Sequence, residues 1–254
     1  MTTHRFISSI TIILFTLLSN PGIVNADQGD ILLRFRGIGV VPLGTSDQVN
    51  VGGLGTVQNL IGGGSSRVDV DSAIVPEVDI TYMLTDNIGI EAIAGITNHD
   101  VNLRNDGLAT LITTLTADAT GSALVDQYKI FDTWLLPPTV TLQYHFMPDN
   151  NFRPYAGLGV NLTLTFGDDP TDALESEVGG TVDVSTKDDF TWAAQVGFDY
   201  DISDTWYFNF DLKYIDLDTT ATLDINGGLL DGTTLKVKTD ISPIVIGVGF
   251  GTTF

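Results

Sequence analysis

Large side chains alternate with small or polar ones in eight separate stretches of this chain, and nothing else narrows its fold as far. An extended strand sends successive side chains to opposite faces, so a period of two defines two faces. The clearest case is Ser242 to Phe254. Ile244, Ile246, Val248, Phe250, Thr252 and Phe254 share one face, and Pro243, Val245, Gly247, Gly249, Gly251 and Thr253 share the other. A soluble sheet turns its large side chains inward and shows charge outside. Here the second face is mostly glycine without charge, which suits a crowded interior with the large residues turned to lipid. Taken alone, this strand fits a glycine-rich core strand of a soluble sandwich equally well. A sheet closed in lipid must also pair its last strand with its first, because an open edge leaves backbone groups unsatisfied.

Seven further segments carry the same pattern: Ile31 to Val41, Ala73 to Leu84, Ile88 to Thr97, Leu135 to Phe146, Tyr155 to Phe166, Phe190 to Ile202 and Trp206 to Leu217. Each is about the length that a tilted strand needs to cross a bilayer. The connections alternate in length. Thr85-Asp86-Asn87, Met147 to Pro154 and Ser203-Asp204 are tight and rich in turn formers. Gly44 to Ser72, Asn98 to Trp134, Gly167 to Asp189 and Asp218 to Asp240 are long. A sandwich has no reason to alternate so regularly. The pattern predicts an all-β fold, an eight-stranded antiparallel transmembrane β-barrel with short periplasmic turns and long extracellular loops. Aromatic residues gather at the segment ends, Tyr82, Tyr144, Phe146, Tyr200, Trp206 and Phe254 at one and Trp134, Phe166, Phe190 and Trp192 at the other. Rings are favoured there at the headgroup level.

The amino-terminal residues fit the same destination. His4 and Arg5 precede an apolar run from Phe6 to Leu18, and Val24-Asn25-Ala26 offers a small-residue cleavage site. Residues 1–26 read as a secretory signal peptide and residues 27–254 as the barrel. The mean hydropathy is +0.20 although the net charge is −21 and the pI about 4.1. Apolar residues spread through alternating strands, with acids gathered in connections, reconcile the two. So acidic a chain is no partner for nucleic acid, which needs clustered Lys and Arg. With no cysteine, disulfides, thiol nucleophiles and cysteine-ligated zinc are excluded.

Several strings go further. VPEVDITYMLTDNIGIE (Val75 to Glu91), LPPTVTLQYHFMP (Leu136 to Pro148), RPYAGLGVNLT (Arg153 to Thr163) and WAAQVGFDYDISDTWYFNFDLKYIDLDTTA (Trp192 to Ala221) resemble the OmpW family of outer-membrane proteins. FRGIGVVP (Phe35 to Pro42) and the terminal strand match its two ends. The likeness spans the mature chain and departs from the family in two loops, Gly52 to Ser66 and Asn98 to Lys129, which look extended. It implies a location in the outer membrane of a Gram-negative bacterium and a narrow, porin-like channel. It also implies passive uptake of small hydrophobic molecules, as in relatives that include an alkane-import branch.

The residues themselves bear on mechanism. An eight-stranded interior is just wide enough to be filled by side chains. By parity, Gly157, Gly159, Gly197, Gly247, Gly249 and Gly251 point inward and leave room for a cavity. Towards the periplasmic end the inward set turns charged: Arg34, Arg36, Glu77, Asp79, Glu91, Asp199, Asp211 and Lys213. These residues form either a salt-bridged plug or a polar packed core with no part in conduction. If the lower lumen is closed, an apolar solute needs a side exit into the membrane. Proline weakens strand pairing by removing a donor, so Pro76, Pro137, Pro138 and Pro243 mark candidate breaks. Leu54 and its neighbours Val49, Val51, Val57, Leu60 and Ile61, with Leu108, Leu111, Ile112, Leu115 and Leu124, either form an apolar entrance or pack the loops on each other. A short helix is expected around Leu108 to Leu115. Phe190 and Trp192 are gate or girdle candidates.

The acid-dense third loop reads as a solvated surface, although grouped carboxylates also suit divalent cations that bridge to lipopolysaccharide. His99 and His145 lie at opposite ends of the barrel with no nucleophile spaced to join them, so the chain is not read as an enzyme, and no catalytic residue, metal or cofactor is assigned. The expected partners are outer-membrane lipid, lipopolysaccharide and small hydrophobic solutes, with the chain a monomer or weak oligomer. The other class of function left open is a structural or adhesive barrel with a filled lumen, whose loops bind phage, bacteriocin or host.

Overall fold

A computed structural model describes residues 26–43, 50–52, 67–70, 72–104, 128–228 and 231–254. The strands, in chain order, are β1 (Ile31–Val41), β2 (Asn50–Gly52), β3 (Arg67–Val70), β4 (Ala73–Met83), β5 (Ile88–Gly95), β6 (Thr97–Arg104), β7 (Tyr128–Leu136) and β8 (Thr139–His145). They continue as β9 (Phe152–Pro170), β10 (Thr181–Thr186), β11 (Asp189–Asp201), β12 (Tyr207–Ile215), β13 (Asp218–Asn226), β14 (Thr233–Asp240) and β15 (Ile244–Thr253). One helix, α1 (Asp172–Val178), lies between β9 and β10.

The barrel is closed and antiparallel. Going round it, β1 pairs with β4, β4 with β5, β5 with β8, β8 with β9, β9 with β11, β11 with β12, β12 with β15, and β15 with β1. The last pair runs from Leu32↔Thr253 to Val41↔Ile244, and Ile31 and Phe254 exchange both main-chain hydrogen bonds at 2.9 Å. No edge of this ring is left open to lipid. The short turns are held by their own side chains. Thr85 Oγ1 accepts from the backbone N–H of Asn87 and Ile88, and Ser203 Oγ from those of Thr205 and Trp206.

The alternation sorts the two faces as parity requires. Ile80 and Tyr82 of β4, Leu142 and Tyr144 of β8, Val160 and Leu162 of β9, and Val248 and Phe250 of β15 are exposed, and Leu158 is 68% exposed. In water so continuous an apolar belt would aggregate. In a bilayer it is the surface that lipid requires.

Above the belt the wall continues as a collar in two halves. One half is β3, β6, β7 and the upper arm of β9, and the other is β10, β13, β14 and β2. Three of the predicted segments therefore stop short of the strand or wall they belong to. The fifth reaches Pro170 rather than Phe166, and the third and fourth resume beyond breaks at Ile96 and at Pro137-Pro138. The acid-dense loop is a folded element, and its described acids lie exposed or half-buried on its surface, as the solvated reading expects. Thr171 caps α1 by accepting from Leu174 N, and Gly179 ends it in the left-handed region at φ 68°. Three of its acids accept hydrogen bonds: Glu175 from Val182 N, Asp183 from Asn226 Nδ2, and Asp189 from Asp218 N.

Candidate functional site

The lower half of the lumen is a packed ionic network. Three cations, Arg34, Arg36 and Lys213, sit among five carboxylates, Glu77, Asp79, Glu91, Asp199 and Asp211, all of them buried. Arg34 reaches Asp199 at 2.9 Å and Glu91 at 3.4 Å. Arg36 reaches Asp79 at 2.7 Å, Glu77 at 2.9 Å and Asp211 at 3.5 Å, and Lys213 lies 3.3 Å from Glu77. Neutral groups fill the remaining sites. Gln195 Nε2 donates to Glu91 at 2.6 Å, Asn209 Nδ2 to Asp199 at 2.8 Å, and the Tyr155 hydroxyl to Asp211 at 3.0 Å. These groups come from β1, β4, β5, β9, β11 and β12, so the network ties opposite walls together. The inward charges are thus salt-bridged and closely packed, as both readings of them require.

Those eight charges are the ones parity singles out, and further inward residues join them. Arg153, Tyr155 and Tyr207 are among the largest fully buried side chains. The Arg34 guanidinium stands 5.2 Å from the Tyr155 ring centroid and 5.9 Å from that of Tyr207. His145 Nε2 lies 2.9 Å from Gln143 Oε1, beside Tyr155. The glycines expected to leave a cavity here do the opposite. Gly197 lies directly across from Tyr155, and Gly251 across from Tyr207. A Cβ on Gly197 would come 2.5 Å from the Tyr155 ring, and one on Gly251 would come 2.4 Å from that of Tyr207. Each glycine is the space its partner's ring fills. Gly157 and Gly247 are likewise closed over by Gln195 and Arg36.

Above the plug the lumen turns apolar. A cavity of about 50 Å³ is lined by Ile38, Val40, Ile93, Gly95, Pro137 and Pro243 among others. A second, of about 40 Å³, lies among Val101, Ile130, Phe131 and a set of threonines. His99, Leu135 and Ile241 line both, so the two cavities lie next to each other there. His99 Nε2 lies 3.0 Å from Thr97 Oγ1. Each cavity has room for only a few waters, so a larger solute must part the lining.

The candidate residues fall in different places. Pro76 and the Pro137-Pro138 pair flank one spot in the wall. Pairing of β4 with β5 stops at Glu77↔Gly95, just below Pro76, and pairing of β5 with β8 stops at Ile93↔Thr139. Pairing resumes only at Thr97↔Leu135 in β6 and β7. Gly95 and Ile96 therefore have few ladder bonds on either side, and Gly95 puts no side chain between the cavity and the outside. On the other flank of the proline pair the wall is sewn shut, with Leu162 N donating to Pro138 O and Asn161 Nδ2 to Pro137 O. Pro243 is buried on the far side of the same cavity, and its carbonyl accepts from Ile215 N. Phe190 and Trp192 point outward, Phe190 being 69% exposed and Trp192 packing on Tyr214. Leu54, its apolar neighbours in the first loop and the expected helix at Leu108 to Leu115 lie outside the residues whose side chains are described.

Comparison with known proteins settles the family. The family model described as OmpW family matches residues 27–254. The chain belongs to the OmpW family. It is 32% identical to outer membrane protein W of Vibrio cholerae over 207 residues, 81% of this chain and 82% of that one. It is also 32% identical over 240 residues to an outer-membrane protein of Sinorhizobium fredii, covering 91% and 86%. The crystal structure of the outer membrane protein OprG from Pseudomonas aeruginosa superposes with a TM-score of 0.73 at 28% identity, covering 91% of this chain and 99% of that one. The chain is an outer-membrane β-barrel.

Proposed function

We propose that this OmpW-family barrel carries small hydrophobic molecules passively across the outer leaflet, taking them into the upper lumen and releasing them sideways into the membrane near Gly95. One observation carries the reading: apolar cavities stand on a closed ionic plug, beside a stretch of wall flanked by prolines. An apolar solute gains by leaving water for such a lumen, but has no reason to enter a lattice of buried charge, whose groups it would strip of partners. The only favourable way on is through the wall into lipid. The lipopolysaccharide leaflet, poorly permeable to such solutes, is then the barrier bypassed, and outer-membrane lipid is the recipient.

The test is uptake of a labelled medium-chain hydrophobic compound by cells lacking the gene and by cells with it restored, with a small sugar as the polar control. The reading predicts that deletion slows the hydrophobic compound several-fold and leaves the sugar unchanged. Equal uptake of the hydrophobic compound in both strains removes it and leaves a closed barrel that acts through its loops.

A further inference from the structure

The two halves of the collar meet along a line that no main-chain ladder closes. β9 pairs with β11 from Phe152↔Tyr200 up to Thr163↔Asp189 and stops. Above that level the arm of β9 stays on β7, with pairs as high as Pro170↔Phe131, while β10 stays on β13. Among the described residues no register joins β9 to β10. Carboxylates stand where the ladder would be. Asp168, on β9, accepts from Thr186 N at 3.0 Å and Thr186 Oγ1 at 2.8 Å on β10, and from Thr133 Oγ1 on β7 at 2.7 Å. Asp188, just past β10, reaches back and accepts from Thr165 N of β9 at 3.1 Å. Each strand lends a carboxylate to the other.

This clasp bears directly on the lumen. Thr133, Thr165 and Thr186, the three residues it holds, also line the upper cavity. Parting the seam would open that cavity to the outside. Side-chain hydrogen bonds reached by water contribute little each and break singly, whereas a ladder opens only as a unit. The arm of β9 would keep its pairing with β7 throughout, so opening needs no loss of barrel structure. Phe166 and Phe190 stand exposed on the outer surface at the foot of the seam. An apolar solute held at headgroup level meets those rings first.

We infer that the β9–β10 seam is a side entrance for apolar solutes and that Asp168 and Asp188 are its latch. This rests on the transport reading and adds the first step of the route. Solute enters beside Thr165 and Thr186, passes His99, Leu135 and Ile241, and reaches the lower cavity at Gly95. It also accounts for cavities too small for such a solute: this is the latched conformation.

The chain has no cysteine, so a pair can be placed without background. Asp168→Cys with Thr186→Cys joins the strands on oxidation, and a short bis-maleimide serves where the disulfide does not form. Cells carrying the pair are expected to lose at least five-fold of the protein-dependent uptake of the hydrophobic compound when cross-linked, and to regain it on reduction of the disulfide. Equal uptake in the two states, in cells where the unaltered chain does speed uptake, overturns the entrance and leaves the channel standing. If the unaltered chain gives no uptake, both fall. A second readout needs no transport. Maleimide labelling of Leu135→Cys is expected to rise several-fold when Asp168→Ala and Asp188→Ala are added, with the folded mobility on unheated gels retained. An unchanged labelling rate in the folded protein overturns the latch.

Discussion

At the scale of single residues, the plug is held by complementarity between charges and between sizes. Arg36 lies within 4 Å of four carboxylates with its side chain fully buried. Removing one member of a buried ionic set leaves its partners charged and unpaired, at a cost of about 3–5 kcal/mol. Arg36→Met is therefore expected to lower unfolding stability by that amount, measured by urea titration in lipid vesicles. Loss of less than about 1 kcal/mol would mean that water reaches the network, since exposed pairs contribute no more than that. The size fit predicts a second result. Gly251→Ala drives a methyl group into the Tyr207 ring and should cost about 1–3 kcal/mol, as overpacking does. Tyr207→Leu in the same chain removes the clash, so the double variant should lose less than the sum of the two singles.

At the scale of elements, pairing density decides where the wall yields. Ile90 to Ile93 have partners on both β4 and β8, whereas Ala94 and Gly95 keep a partner on β4 alone and Ile96 is in neither register. Amide hydrogen exchange in bilayers should run about tenfold or more faster at Ala94, Gly95 and Ile96 than at Ile90 to Ile93, because backbone paired on one side or neither opens without unfolding its neighbours. Uniform protection along β5 and β6 would contradict a weak point in the wall.

The same comparison explains what was legible in the sequence. Within the membrane one face must be apolar, so strands such as β1 and β4 show their register plainly, and Arg34, Arg36, Glu77 and Asp79 fall inward by counting. The collar strands meet water outside the belt. β13 (DTTATLDIN) and β14 (TTLKVKTD) alternate without an apolar outer face and so read as loops. Tyr155 and Tyr207 also fall inward by counting, on the faces of Gly157 and Asn209, but counting does not show which inward space their rings fill. A tyrosine one register position across from an inward glycine, as at Gly197 and Gly251, was the available signal. The carboxylate clasp had none, because Asp168 and Asp188 meet only after β10 folds back along β9.

At the scale of the whole molecule, the barrel is closed below and apolar above. A lumen sealed by buried ion pairs should give no steady ion conductance. Planar-bilayer recordings of the purified protein are expected to stay at baseline at moderate voltage, and a stable open level would show an aqueous path through the plug that the packing does not contain. What then matters is the way out. The most direct measurement compares uptake of the hydrophobic compound by cells with the unaltered chain and with Pro137→Val/Pro138→Val, which supplies the two missing donors beside Gly95. The substituted barrel is expected to fold in the outer membrane yet lose most of the protein-dependent uptake. Full uptake by a folded Pro137→Val/Pro138→Val barrel would contradict release through that wall.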